Sequence, residues 1–359
     1  MFDLPTHKSK PIERYLIREK SEKCCSSLVN PGENPSPHVV GGNAFNATMP
    51  STDISMIANC TSCTFSEDLS NYWTANLYFK ARNGSYKRVP QIANRFNDGE
   101  SGGFTVYYTS SGPNKTTAFK PGFRMLVGDP MRRTTGVNPS MKYQSCFRCY
   151  CGPNFKGDDL SPCFDPRVDT GGFPQKMCSG IRTNLHFPTC WDGKNLDSPD
   201  HKAHVAYPIA GPATFHTDGG PCPSSHPIKI PEVVWDTTPF NEKSLWPEDG
   251  SQPFVLSTGD PTGYGQHGDY VFGWKGDALQ RALDTFCFGN CATLKTQTYA
   301  DANQCTVPKR VNEDTEGWLA KLPGTGQRVE RLALTNMMAK LMRQASTLAH
   351  ENSNFIGKT

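Results

Sequence analysis

Short runs in which apolar and polar residues alternate dominate the chain between residues 36 and 292, the two-residue period of half-buried strands. The clearest spans 72–79 (Tyr-Trp-Thr-Ala-Asn-Leu-Tyr-Phe) and leads into Asn83-Gly84, a strong hairpin signal. Further strands are predicted at 104–108, 123–127, 232–235 and 254–256, each bounded by Gly or Pro. One helix is expected after Asp277, with Leu279, Ala282, Leu283 and Phe286 on one face and Asp277 as its cap. The ends differ. Residues 1–35 read as a polar, flexible extension, and 293–326 as an irregular segment. In the tail, 327–359, Leu334, Met338, Leu341, Ala345 and Leu348 fall at helical spacing among Arg328, Arg331, Lys340 and Arg343. That helix either packs at the periphery of the domain or meets a membrane surface or partner.

Fourteen cysteines in 359 residues change the picture most. They point to as many as seven disulfides, an oxidising compartment, and a mainly β, sandwich-like single domain stapled across long loops. Cys60-x-x-Cys63 and Cys146-x-x-Cys149-x-Cys151 have the look of zinc knuckles, but they stand too far apart for a ribbon, so disulfides are the expected use. Four glycosylation sequons, at Asn46, Asn59, Asn83 and Asn114, are about what composition alone yields. Met1 to Lys23 is charged throughout and carries no apolar leader, so secretion implies a start misassigned or a leader removed. The near balance of 37 Lys+Arg against 34 Asp+Glu argues against a nucleic-acid partner, and no run of 18 apolar residues offers a transmembrane helix.

Candidate chemistry gathers in two stretches. Residues 186–204 hold His186, Trp191, Asp192, Asn195, Asp197, Asp200, His201 and His204; residues 259–270 hold Asp260, Tyr264, His267 and Asp269 among four glycines. Imidazoles with a carboxylate suit a divalent ion such as zinc, and His201, His204, His267 and Asp269 form the candidate ligand set. The same four, with Asp192 and Asp197 as acid, base or supporting groups, are the candidate catalytic residues. Glycoside hydrolysis needs two facing carboxyls, for which Asp200, Glu232, Asp236 and Asp260 are also available. Trp191, Asn195 and Tyr264 are the candidate sugar-binding residues, with Trp191 offering a flat apolar face; Trp235 and Trp274 are further aromatics nearby. The plain alternative is that these groups hydrogen-bond one another to brace long loops.

The run 187–208, from Phe-Pro-Thr-Cys-Trp-Asp-Gly-Lys-Asn-Leu-Asp through His201-Lys202-Ala203-His204 to Tyr207-Pro208, resembles the signature of the family called domain of unknown function nineteen ninety-six. Cys60-Thr61-Ser62-Cys63, 71–78, Pro121-Gly122-Phe123-Arg124-Met125-Leu126, 259–265, His267-Gly268-Asp269-Tyr270 and Gly273-Trp274 match it as well. Such proteins are mostly secreted and fungal, some actinobacterial, and are sometimes fused to modules thought to bind carbohydrate. The resemblance implies a secreted or cell-wall protein that binds wall polysaccharide and, if an enzyme, hydrolyses it. The alternative is a non-catalytic structural or interaction protein. Relatives carry a His-rich motif before a Val-x-Gly-Gly stretch; here only Pro37-His38-Val39-Val40-Gly41-Gly42 stands there.

Overall fold

The computed structural model describes residues 10–17, 38–40, 53–89, 104–110, 115–135, 144–150, 163, 165–213, 219–237, 246–285, 287, 291–302, 304–305 and 317–323; of 10–17, 38–40, 104, 110, 234–237 and 299 the backbone alone is described. In chain order the strands are β1 (Lys10–Ile17), β2 (His38–Val40), β3 (Asn71–Ala75), β4 (Leu77–Lys80), β5 (Tyr86–Arg88) and β6 (Phe104–Ser110). Then follow β7 (Arg124–Gly128), β8 (Ser145–Cys149), β9 (Asp169–Thr170), β10 (Ile181–His186), β11 (Cys190–Trp191) and β12 (Val205–Ala206). The last are β13 (Ile228–Lys229), β14 (Glu232–Thr237), β15 (Phe254–Leu256), β16 (His267–Val271) and β17 (Trp318–Leu319). Two short helices, α1 (Ala278–Leu283) and α2 (Tyr299–Ala302), complete the described elements.

Two layers result. One is a six-stranded antiparallel sheet in the order β1-β6-β14-β10-β8-β9. The other holds two four-stranded sheets, β2-β3-β16-β7 and β15-β4-β5-β17. Val106, Tyr108, Val233 and Leu185 of the first layer share a core with Tyr72, Met125, Val127 and Tyr270 of the second. Beside it, Phe147, Cys149 and Ile181 meet Leu77, Phe79, Phe254 and Leu256. This is the mainly β sandwich the alternation predicts, with both cores rich in aromatic residues.

The run 72–79 departs from expectation in an informative way. It is two strands in two sheets, broken at Asn76, whose amide donates to Ser257 Oγ (3.1 Å) and whose carbonyl accepts from the Ser257 amide (2.7 Å). Each strand is buried on both faces rather than one. The Asn83-Gly84 hairpin forms as predicted between β4 and β5, with Gly84 at φ +84°. Helix α1 also forms, and buries Leu279, Ala282 and Leu283. Asp277 stands at its cap position, but its carboxylate goes to Arg281 instead of the helix amides. Within the segment expected to be a flexible extension, β1 pairs along β6. The 293–326 segment returns to the domain through β17, paired with β5, and through the Cys60–Cys305 disulfide. Phe286 and the helical pattern at 327–359 lie outside the described residues.

Five disulfides are formed among the described residues: Cys60–Cys305, Cys146–Cys163, Cys149–Cys178, Cys190–Cys222 and Cys287–Cys291. Neither CxxC pair closes on itself. Cys63 keeps a thiol, which donates to Asp68 Oδ2 (3.6 Å). Cys24, Cys25 and Cys151 lie outside the described residues.

A fully buried carboxyl joins the layers. Asp68 accepts from the Tyr72 hydroxyl; Tyr72 and Tyr108 share a hydrogen bond (2.8 Å), and Tyr108 donates to Tyr270 (2.8 Å). The three tyrosines come from β3, β6 and β16, so the chain of hydroxyls crosses the sandwich. Burial pushes the Asp68 carboxyl up to about 6, against the downward pull of Ser70, Tyr72 and Cys63. Raised in the fold, it stabilises the fold when protonated: the contribution is complete below 3.8 and is lost as pH rises through about 6. Asp68→Asn should therefore shift the stability difference from wild type by about 3 kcal/mol between about pH 4 and about pH 7.5, with wild type losing ground at the higher pH. Urea unfolding at both pH values checks this; a constant difference would contradict it.

Candidate functional site

Strand β7 is the outer strand of its sheet, and the 196–204 loop lies along its open edge. The Arg124 amide donates to the Leu196 carbonyl (3.0 Å), and the Leu126 amide to that of His201 (2.9 Å). Lys202 Nζ donates to the Gly128 carbonyl (2.6 Å), and His204 Nε2 to that of Arg124 (2.6 Å). The loop thereby satisfies an edge that would otherwise invite another chain. It also sets its polar side chains beside the Arg124, Leu126 and Gly128 face of β7, the half-buried side of a strand whose Met125 and Val127 point into the core.

Inside the loop each carboxylate has a distinct task. Asp192 Oδ1 accepts from the amides of Lys194 (2.8 Å) and Asn195 (2.9 Å), and Oδ2 from the Asn195 side chain (2.7 Å). Burial would raise its pKa, but those bonds hold it below the ordinary range. Asp200 takes the amides of Ala203 (2.9 Å) and Lys202 (3.0 Å) and the Ser198 hydroxyl (2.8 Å), which bring it down to about 2. Asp197 is different. Its Oδ1 accepts from His201 Nδ1 (2.6 Å) and the Ser198 amide (2.9 Å), and its Oδ2 stands 3.8 Å from Arg124 Nη1. Burial acts to raise Asp197, yet the His201 bond leads the contacts that keep it low.

The histidines separate into roles. His204 is buried, and both ring nitrogens are committed: Nε2 to the Arg124 carbonyl, Nδ1 to Ser198 Oγ (2.9 Å). Burial lowers its pKa despite that carbonyl and the carboxylates of Asp197, Asp192 and Asp200. It braces the loop. His201 is a quarter exposed, sits at φ +55° and, among the described residues, engages its ring through Nδ1. A left-handed backbone at a histidine is a strained conformation of the kind that collects at functional sites. His267, on β16 in register with Gly128, is buried, donates Nδ1 to the Gly265 carbonyl (2.9 Å) and is pushed down to about 4 by burial. Asp269, two residues on, is buried between Trp73 and Leu126 in the ladder. The carboxylate on His201 is thus Asp197.

The proposed metal set His201, His204, His267 and Asp269 does not fit an ion as it stands. His204 would have to give up one of two internal bonds to ligate, and among the described residues no three His, Cys, Asp or Glu side chains are gathered for a metal. Trp191 is buried, donates Nε1 to the Asn195 carbonyl (2.6 Å), packs edge-on to Phe123 and lies beneath Lys120 Nζ (5.1 Å), so it is not an open sugar platform. Asn195 is exposed but its amide serves Asp192. Tyr264 is half-buried with the Arg132 guanidinium 6.0 Å over its ring.

Other candidates are internal. Asp260 Oδ1 accepts from the amide and hydroxyl of Thr262 (2.8 and 2.6 Å), and Oδ2 from the Gly265 amide (2.7 Å), shaping the loop that delivers His267. Glu232, enclosed on β14, takes His186 Nδ1 (2.7 Å) and the Thr109 hydroxyl (2.8 Å). Trp274 packs edge-on against Tyr108 in the core. For Trp235 and Asp236 only strand positions are described. Sequence reasoning missed Arg124, Ser198 and Lys202; a charged residue inside the otherwise apolar run 123–127 was the available signal for Arg124.

A family profile described as a domain of unknown function (DUF1996) matches residues 27–274, which include both polar clusters. No curated protein and no solved structure matches the chain.

Two outcomes follow from this geometry. His204→Ala should cost about 2–4 kcal/mol, because it removes two buried hydrogen bonds and leaves a cavity. His201→Asn, which tolerates the left-handed backbone, should stay within about 1 kcal/mol of wild type. Thermal melts of the two variants distinguish brace from site. Gly128, at φ +80°, leaves a Cβ only 2.3 Å from the Gln266 carbonyl oxygen, so Gly128→Ala should destabilise by about 2–4 kcal/mol in the same assay.

Proposed function

We propose a role for this chain from two facts: it belongs to the DUF1996 family, and its loop site presents a carboxylate–imidazole pair at the surface. The reading is a secreted or cell-surface protein of fungal type that binds wall polysaccharide and transfers protons on it through Asp197 and His201. Five disulfides support passage through an oxidising compartment. Among the described residues no helix is long and apolar enough to cross a membrane.

The Asp197–His201 pair carries the chemical part. The Asp197 carboxylate accepts Nδ1–H, fixing the tautomer in which Nε2 holds the lone pair, and stabilises the imidazolium that forms when Nε2 takes a proton. Asp192 and Asp200, held low by backbone amides, are poor proton donors near neutral pH. Arg124 stands beside the pair and would orient a sugar oxygen. A second reading, a non-catalytic interaction protein, is favoured by one observation: His204 and Trp191, the most prominent residues of the motif, are spent on internal packing.

Protein made through a secretory host and incubated with insoluble fungal wall fractions should release reducing ends. His201→Asn and Asp197→Asn should each lower that release at least about 100-fold while leaving the fold intact. Binding without release, unaffected by either change, would select the interaction protein.

A further inference from the structure

The Arg124 guanidinium is held beside the Asp197–His201 pair with few of its donors used. Its side chain is 12% exposed, Nη1 stands 3.8 Å from Asp197 Oδ2, and Nε is buried with no hydrogen-bond acceptor among the described residues. A guanidinium carries five N–H donors in a planar fork, and a close carboxylate engages it in parallel bonds near ~2.8 Å. Asp197 does not close on it that way, because its Oδ1 is held by His201 and the Ser198 amide. Burial lowers the Arg124 pKa, the sign of a cation that is incompletely compensated. Its backbone is fully engaged with the loop, through the Leu196 carbonyl and His204 Nε2, so the side chain is not needed to dock that loop.

The surroundings lean the same way. Lys202 Nζ meets the neutral Gly128 carbonyl and no carboxylate. Lys120 lies over Trp191, and Arg133 spends Nη1 on the carbonyls of Pro130 and Arg132, with its Nε 3.6 Å from Asp260. The carboxylates facing the site are Asp192, Asp197 and Asp200, each already accepting from two or more internal donors, and the exposed Asp129, which accepts from the Met131 amide (2.9 Å). Cations with unspent donors thus face carboxylates whose acceptors are used.

We infer that Arg124 is a specificity-determining residue of this site and that the saccharide it reads carries an anionic group, a uronate carboxylate or a phosphate, placed against the guanidinium. This rests on the carbohydrate reading above and narrows it to acidic polysaccharides. The anion would sit on Arg124 while a neighbouring sugar oxygen meets His201.

Titration calorimetry of the full chain with three probes tests it: glucuronate oligosaccharides, phosphomannan oligosaccharides and neutral β-glucan oligosaccharides of equal length. One acidic probe should bind at least about tenfold tighter than the neutral one, and which of them does so identifies the anion. Arg124→Gln should abolish that preference, Arg124→Lys should retain part of it, and wild-type affinity should fall as salt rises. Should Arg124→Gln fail to fold in a thermal melt, Arg124→Lys takes its place, with the preference expected to fall severalfold. Equal binding of acidic and neutral probes, unchanged in the variant, would overturn the inference and leave the carbohydrate reading standing. A folded protein that binds none of the three would overturn both.

Discussion

The sandwich depends on how it handles one buried carboxyl. Among the described residues Asp68 accepts from neutral donors: the Tyr72 hydroxyl, the amide and hydroxyl of Ser70, and the Cys63 thiol. A carboxylate in that setting loses its hydration for hydrogen bonds alone, and the chain of tyrosine hydroxyls is what makes its enclosure tolerable. Because the hydroxyls come from β3, β6 and β16, satisfying Asp68 requires both layers at the right separation and register. An apolar core alone would accept many relative placements of two sheets; a shared chain of 2.8 Å contacts accepts very few. The same strands continue outward to the loop site: β16 carries Tyr270 into the core and, three residues earlier, His267 toward β7. The geometry of the surface is thus set from the interior.

The loop site in turn is built by edge protection. β7 needs its outer amides and carbonyls satisfied, and the 196–204 segment supplies partners for them with a backbone that is not itself a strand. Irregular backbone makes this possible because His201 takes a positive φ, which turns the chain so that the His201 carbonyl meets Leu126 while its ring meets Asp197. Most of the polar side chains in the motif then serve the loop itself. The dense cluster of Asp, His and Ser is therefore first a brace and, on the proposed reading, also a site, and the bracing residues outnumber the exposed ones.

That duality limits what sequence could reveal. The strands, the Asn83-Gly84 hairpin and the helix after Asp277 were legible because each follows from local periodicity or turn chemistry. The break at Asn76 was not, because it is made by Ser257, some 180 residues away. Cysteine pairing was equally out of reach: Cys60 goes to Cys305, across 245 residues, and not to its neighbour Cys63. In the site, His201 and His204 look equivalent in the written motif. Only the fold shows that one ring is sealed by Ser198 and Arg124 and the other is not. Trp191 misleads for a similar reason, since an aromatic beside polar residues reads as a platform until its indole N–H is found on the Asn195 carbonyl.

Arg124 shows how the two levels meet. Its neighbours along β7, Phe123 and Met125, are core residues, and its own amide and carbonyl hold the loop, so the position is rigid on three sides. A cation fixed so firmly, yet paired only at 3.8 Å, pays desolvation with little internal return. Natural proteins keep such arrangements where a ligand supplies the missing acceptor or where the charge steers one to the site. Electrostatics of this sort discriminates between ligands more than it tightens binding, because water and salt compete for the same donors. On the proposed reading, charge selection falls to Arg124 and proton transfer to the Asp197–His201 pair that the same loop holds against the same strand.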